Sequence, residues 1–156
     1  MKIKKGALIL SILIPLAVGG LSALISGSAM KAFETVNKPP LSPPMVVFPI
    51  AWTVLYILMG IASYLVYNSN ASDNRSVSAL FFYAAQLAVN FFWSIIFFNL
   101  KMYLFAFIWL LLLIVLTVIT TVKFSKISTA AGWLMVPYLA WLLFAAYLNL
   151  GIVILN

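Results

Sequence analysis

The sequence predicts an all-α integral membrane protein, a bundle of five transmembrane helices, and three observations carry that expectation. Hydrophobic residues make up 66% of the 156-residue chain and charged residues 7%, with mean hydropathy +1.19, far from the composition of a soluble domain. Five apolar blocks follow one another, each long enough to cross a hydrocarbon core that takes roughly 18 or more such residues. The nine Lys and Arg residues fall beside those blocks, where basic side chains set topology. A net charge of +7 spread in this way is no nucleic-acid footprint, and no nucleic-acid partner is expected.

The first helix is expected over about residues 7–27, after Lys2, Lys4 and Lys5. A signal peptide has the same pattern, with Ser26-Gly27-Ser28-Ala29 resembling a cleavage site, but the apolar run exceeds a usual signal core and is read as a retained span. Gly19, Ala23 and Gly27 recur every four residues, a spacing that lets a neighbouring helix approach closely. Residues 28–44 form the longest connection. Pro39, Pro40, Pro43 and Pro44 each fix φ, so this loop reads as a stiff rim that can shape a pocket.

Helix two is expected over about 45–67, with Pro49 tolerated in its first turns and Tyr64 and Tyr67 at the headgroup boundary. The polar run from Asn68 to Arg75 reads as a loop. Helix three follows at about 78–99 and helix four at about 102–122, with Lys123 and Lys126 bracketing a short connection. Helix five, about 130–155, contains Pro137, which removes one helix hydrogen bond and is expected to kink it. The whole chain, 1–156, reads as a single membrane domain. An inside amino terminus puts Lys2, Lys4, Lys5, Arg75, Lys123 and Lys126 inside against Lys31, Lys38 and Lys101 outside, which favours that topology with the carboxyl terminus outside. The proline loop is then on the outer face.

With no cysteine and no histidine, the chain has no disulfide, no thiolate nucleophile and none of the common zinc or haem ligands, and no metal or cofactor is expected. Its only carboxylate side chains, Glu34 and Asp73, fall in separate predicted loops, so conventional acid–base catalysis is not expected. Aromatics and amides remain. Phe48, Trp52 and Tyr56 repeat at one-turn spacing on helix two, and Tyr138, Trp141 and Ala145 share a face of helix five. Helix packing and interface anchoring account for any one of these aromatics; their co-occurrence favours a site. Gln86 and Asn90 lie one turn apart on helix three near Trp93, and Asn149 lies on helix five. An unsatisfied amide in hydrocarbon costs on the order of a few kcal/mol, so these groups either bond another helix or face a polar ligand group. Together the residues suggest a cavity for a planar hydrophobic molecule under a proline-rich lid. No charged anchor is expected inside, which makes ionic substrates and ion pumping poor fits.

The segments Lys38-Pro39-Pro40 with Pro43-Pro44, Phe48-Pro49-Ile50-Ala51-Trp52-Thr53-Val54-Leu55-Tyr56, Gln86-Leu87-Ala88-Val89-Asn90-Phe91-Phe92-Trp93-Ser94, and Val136-Pro137-Tyr138-Leu139-Ala140-Trp141 through Tyr147-Leu148-Asn149 resemble the tryptophan-rich sensory protein family, also called the translocator protein or peripheral benzodiazepine receptor family. The resemblance covers nearly the whole chain. It implies a five-helix bundle in a bacterial cell membrane, commonly a homodimer, that binds porphyrins such as protoporphyrin IX and isoquinoline carboxamide drugs. Carried over residue by residue, its pocket falls on Pro43, Phe48, Trp52, Tyr56, Gln86, Asn90, Trp93, Trp141 and Ala145. Trp52 and Trp141 match tryptophans linked in some bacterial members to light-dependent porphyrin breakdown.

Three positions depart from the family pattern. Ala32-Phe33 stands where relatives often carry Trp-Tyr, Leu41 stands where they carry tryptophan, and no basic residue follows Tyr147 to complete a cholesterol motif. A shallower loop cover and no cholesterol site of that type are expected. The leading expectation is a tetrapyrrole-binding sensory or translocator protein. Light-driven porphyrin degradation is the alternative, and a purely structural membrane protein the third reading.

Overall fold

The computed structural model describes residues 2–69 and 73–156, the side chains of Ala32 and Asp73 excepted. Five helices, α1 (Lys5–Ala32), α2 (Val47–Tyr67), α3 (Asp73–Ser94), α4 (Tyr103–Ile127) and α5 (Thr129–Leu155), are each long and apolar enough to cross a membrane, and no strand occurs among the described residues. The chain is an integral membrane protein. A 3₁₀ turn (Phe33–Thr35) continues α1, and a π-helical turn (Ile95–Asn99) ends α3.

The helices outrun the apolar blocks. α1 extends five residues beyond the expected end at 27, α3 starts at Asp73 within the predicted polar loop, and α4 carries Lys123 and Lys126 inside its last turns. Polar residues are good helix formers where the backbone leaves the hydrocarbon, so loss of hydropathy marks the membrane boundary and not the helix end. α3 thus begins at a position expected to lie in the loop. The α4–α5 connection shrinks to Ser128, which holds an extended conformation and whose Oγ accepts from the Ala131 amide at 3.3 Å. Positions 70–72 of the predicted loop lie outside the described residues. α5 runs unbroken through Pro137, and α1 through Pro15.

In space α1 packs on α2, α2 on α5, α5 on α4, α4 on α3, and α3 returns to α1. The α1–α2 backbones meet at Gly60, where a Cβ would stand 2.7 Å from the Ser11 carbonyl oxygen and the Ile12 Cα. The four-spaced face of α1 serves otherwise: Gly27 has no neighbour within 4 Å, whereas Gly19 lies against the Tyr56 ring.

The half of the bundle away from the proline loop is solid. Met59, Ala62 and Val66 of α2 pack with Tyr83 and Leu87 of α3, Leu110, Leu113 and Phe124 of α4, and Met135, Tyr138 and Leu142 of α5. The other half, beneath the proline loop, holds a cavity.

Candidate ligand cavity

The loop above the cavity is tied to α5. Asn156 donates through Nδ2 to the Asn37 carbonyl at 2.8 Å and accepts the Asn37 amide at 3.3 Å, while Tyr147 donates to the Pro40 carbonyl at 2.7 Å. Pro39 is buried on Gly151, where a Cβ would come within 2.5 Å of the proline ring. Prolines thus stiffen the segment and α5 holds it in place. Leu41 points away at 83% exposure with φ 71° and is outside the cavity.

The cavity has a volume of about 210 Å³. Phe48, Trp52 and Tyr56 form one wall from α2, at the predicted one-turn spacing. α5 supplies Trp141, Ala145 and Asn149, α3 and its π-turn supply Asn90, Trp93, Phe97 and Phe98, and the loop contributes Pro43 and Met45. α1 closes the remaining side with Gly19, Ser22 and Ala23. The aromatic rings touch one another: Trp52 stacks on Tyr56 at 5.4 Å and stands edge-on to Trp141 at 6.4 Å, and Phe48 meets Trp141 at 6.0 Å. Trp93 stacks on Phe97 at 5.0 Å. Each such pair adds roughly 0.5–1.5 kcal/mol beyond area burial, so the walls are firm before a ligand enters.

Of the ten residues singled out from sequence, Pro43, Phe48, Trp52, Tyr56, Asn90, Trp93, Trp141 and Ala145 line this space, whereas Gln86 and Tyr138 lie beneath it. A chain of hydrogen bonds explains the division. The Tyr56 hydroxyl donates to Asn90 Oδ1 at 3.0 Å, Asn90 Nδ2 donates to the Tyr138 hydroxyl at 2.7 Å, and Tyr138 donates to Gln86 Oε1 at 2.7 Å. Gln86 Nε2 in turn approaches Met59 Sδ at 3.9 Å. Every donor points the same way, an arrangement in which each bond polarises the next. The chain joins α2, α3 and α5 and forms the cavity floor. Asn149 is also engaged, accepting from Trp93 Nε1 at 3.2 Å and donating to the Tyr103 carbonyl at 2.9 Å. Helix bonding thus accounts for all three amides, and of Gln86 and Asn90 only Asn90 also reaches the cavity.

Two features depart from the sequence expectation. Phe33 is buried against Phe97 and Phe98, each at 5.3 Å, and restores an aromatic at the loop end of the cavity. Lys38 also lines the cavity, placing a charge at a site expected to have none. Its ammonium lies 4.8 Å from the Phe33 ring centroid and donates to the Glu34 and Val36 carbonyls at 3.2 and 3.3 Å. The four-spaced Gly19 and Ala23 did signal α1, but a small-residue face reads alike whether it meets a helix or borders a void. One wall donor is unused: the buried indole N–H of Trp141 has no acceptor among the described residues.

The architecture is that of a five-helix integral membrane bundle, solid in one half and hollow in the other with an aromatic lining. Comparison with known proteins identifies the family. It belongs to the TspO/MBR family, whose model matches residues 11–155. Among its relatives, the tryptophan-rich protein TspO of Archaeoglobus fulgidus is 37% identical over 150 residues, covering 96% of both chains. The tryptophan-rich sensory protein of Cereibacter sphaeroides is 40% identical over 124 residues, 80% of this chain and 76% of that one. The translocator protein of Homo sapiens is 36% identical over 129 residues, 82% of this chain and 76% of that one.

Proposed function

We propose that this protein binds a tetrapyrrole such as protoporphyrin IX in the cavity beneath the proline loop, as a membrane sensor or translocator. The observation that carries the reading is the lining itself: Phe48, Trp52, Trp93 and Trp141 surround a void whose floor is an already satisfied hydrogen-bond chain. Such walls reward flat apolar surface. Isoquinoline carboxamides, planar and uncharged, fit the same description. The ligand enters a homodimer in a bacterial cell membrane, with the amino terminus inside.

Titration of the purified chain with protoporphyrin IX tests the reading through saturable quenching of tryptophan fluorescence. Trp141→Phe and Ala145→Phe are expected to weaken it, the second by filling the void. No saturation in the unmodified chain, together with no shift of its melting temperature by porphyrin or isoquinoline carboxamide, would leave a purely structural protein. Because the sequence has no native cysteine, Lys126→Cys and Lys101→Cys labelled by an impermeant maleimide report topology, and labelling of Lys126→Cys from outside would reverse it. Cross-linking in membranes tests the dimer.

A second reading, light-dependent porphyrin degradation, draws support from the Trp52–Trp141 contact at 6.4 Å. Breakdown is a net oxidation in which dioxygen takes electrons from the light-excited porphyrin and its oxygen atoms enter the product, and the oxidisable indoles at the cavity wall are the neighbouring groups able to relay those electrons. Equal bleaching under illumination by the unmodified chain and a Trp52→Phe, Trp141→Phe double variant would remove that activity.

A further inference from the structure

Lys38 differs from the other basic residues on its side of the bundle. Lys31 and Lys101 are exposed, whereas Lys38 is half-buried and drawn over the Phe33 ring at the end of the cavity. No ion pair involves it among the described residues, and the cavity lining contains no acidic side chain. Two of its three N–H donors go to the Glu34 and Val36 carbonyls, which hold the ammonium in place without neutralising it. A fixed, uncompensated cation beside an apolar space attracts an anion more strongly than a solvated surface lysine does.

We propose that Lys38 is a carboxylate anchor, and that the cavity selects planar aromatic acids over their neutral counterparts. The aromatic body lies against the wall made by the α2 and α5 tryptophans, and the acid group stays at the loop end, where it takes the remaining Lys38 donor. This rests on the tetrapyrrole reading in one respect: protoporphyrin IX carries two propionates on one edge and meets the description. The anchor itself requires only a flat apolar body with a carboxylate on its rim.

The test uses the full chain in neutral detergent and two matched pairs of probes, protoporphyrin IX with its dimethyl ester and pyrenebutyrate with its methyl ester. A charge-assisted hydrogen bond predicts that each acid binds about tenfold to hundredfold more tightly than its ester. Lys38→Gln and Lys38→Met are expected to erase the preference while retaining ester binding, which also reports that the fold survives. Lys38→Arg is expected to keep the preference, and Lys101→Gln to leave it unchanged. Equal binding of acid and ester by the unmodified chain, or a preference that survives both neutral variants, overturns the anchor. So does failure of both acids to bind. If neither porphyrin binds but pyrenebutyrate is preferred through Lys38, the anchor stands and the tetrapyrrole reading falls.

Discussion

The floor of the cavity makes a quantitative prediction about Tyr138. Tyr138→Phe removes one oxygen and two hydrogen bonds, leaving the Asn90 Nδ2 donor and the Gln86 Oε1 acceptor without their partner in the interior. Gln86 and Tyr138 are fully buried, so water cannot replace what is lost. Interhelical hydrogen bonds in membrane proteins are worth about 0.6 kcal/mol on average and up to about 1.7, so the variant should lose roughly 1–3.5 kcal/mol. Tyr56→Phe removes a single bond and leaves Asn90 Oδ1 at the cavity edge, for a loss of about 0.6–1.7 kcal/mol. Adding Gln86→Leu to Tyr138→Phe should cost less than the sum of the two, because both delete the same bond. Reversible unfolding in mixed micelles of rising dodecyl sulfate fraction, followed by circular dichroism, gives all four free energies. A Tyr56→Phe loss equal to or larger than that of Tyr138→Phe, or strict additivity of the double variant, would refute the floor as described.

Three further substitutions separate stability from binding. Gly60→Ala drives a Cβ into the α1 backbone and is expected to destabilise the bundle by about 1–3 kcal/mol in the same unfolding assay. Gly19→Ala places its Cβ on the Tyr56 ring, which stacks on Trp52 and must shift; protoporphyrin IX affinity, read by quenching, should fall roughly threefold to thirtyfold, while unfolding loses no more than about 0.6–1.7 kcal/mol, the worth of the Tyr56–Asn90 bond. Leu41→Asn relieves a branched side chain at φ 71° that packs on nothing, and a gain of about 0.5–1 kcal/mol is expected with affinity unchanged.

The spans were legible because exclusion of charge over a long run has one physical cause. Their ends were not: Asp73, Lys123 and Lys126 sit in helices whose polar ends project past the apolar layer. The aromatic walls of α2 and α5 were legible because one-turn spacing puts Phe48, Trp52 and Tyr56 on a common face. Depth along a helix face was hidden, which is why Gln86, one turn from Asn90, lies beneath the cavity instead of lining it. Lys38 and Phe33 were not singled out as cavity residues for another reason. Their places follow from the 3₁₀ turn and the ties between the loop and α5, contacts that join residues more than a hundred positions apart.

The ring order of the helices carries a consequence for biosynthesis. α2 and α5 are neighbours in space, yet two spans separate them in the chain. When α3 has entered the bilayer, Trp52 and Phe48 still have no opposite wall, and Asn90 lacks the Tyr138 hydroxyl that will accept its hydrogen bond. α5 is translated after all of them and supplies both, together with the groups that tie down the loop. A nascent chain halted before α5 therefore has four spans and no closed cavity, and the lined space arises only once the last span is in place.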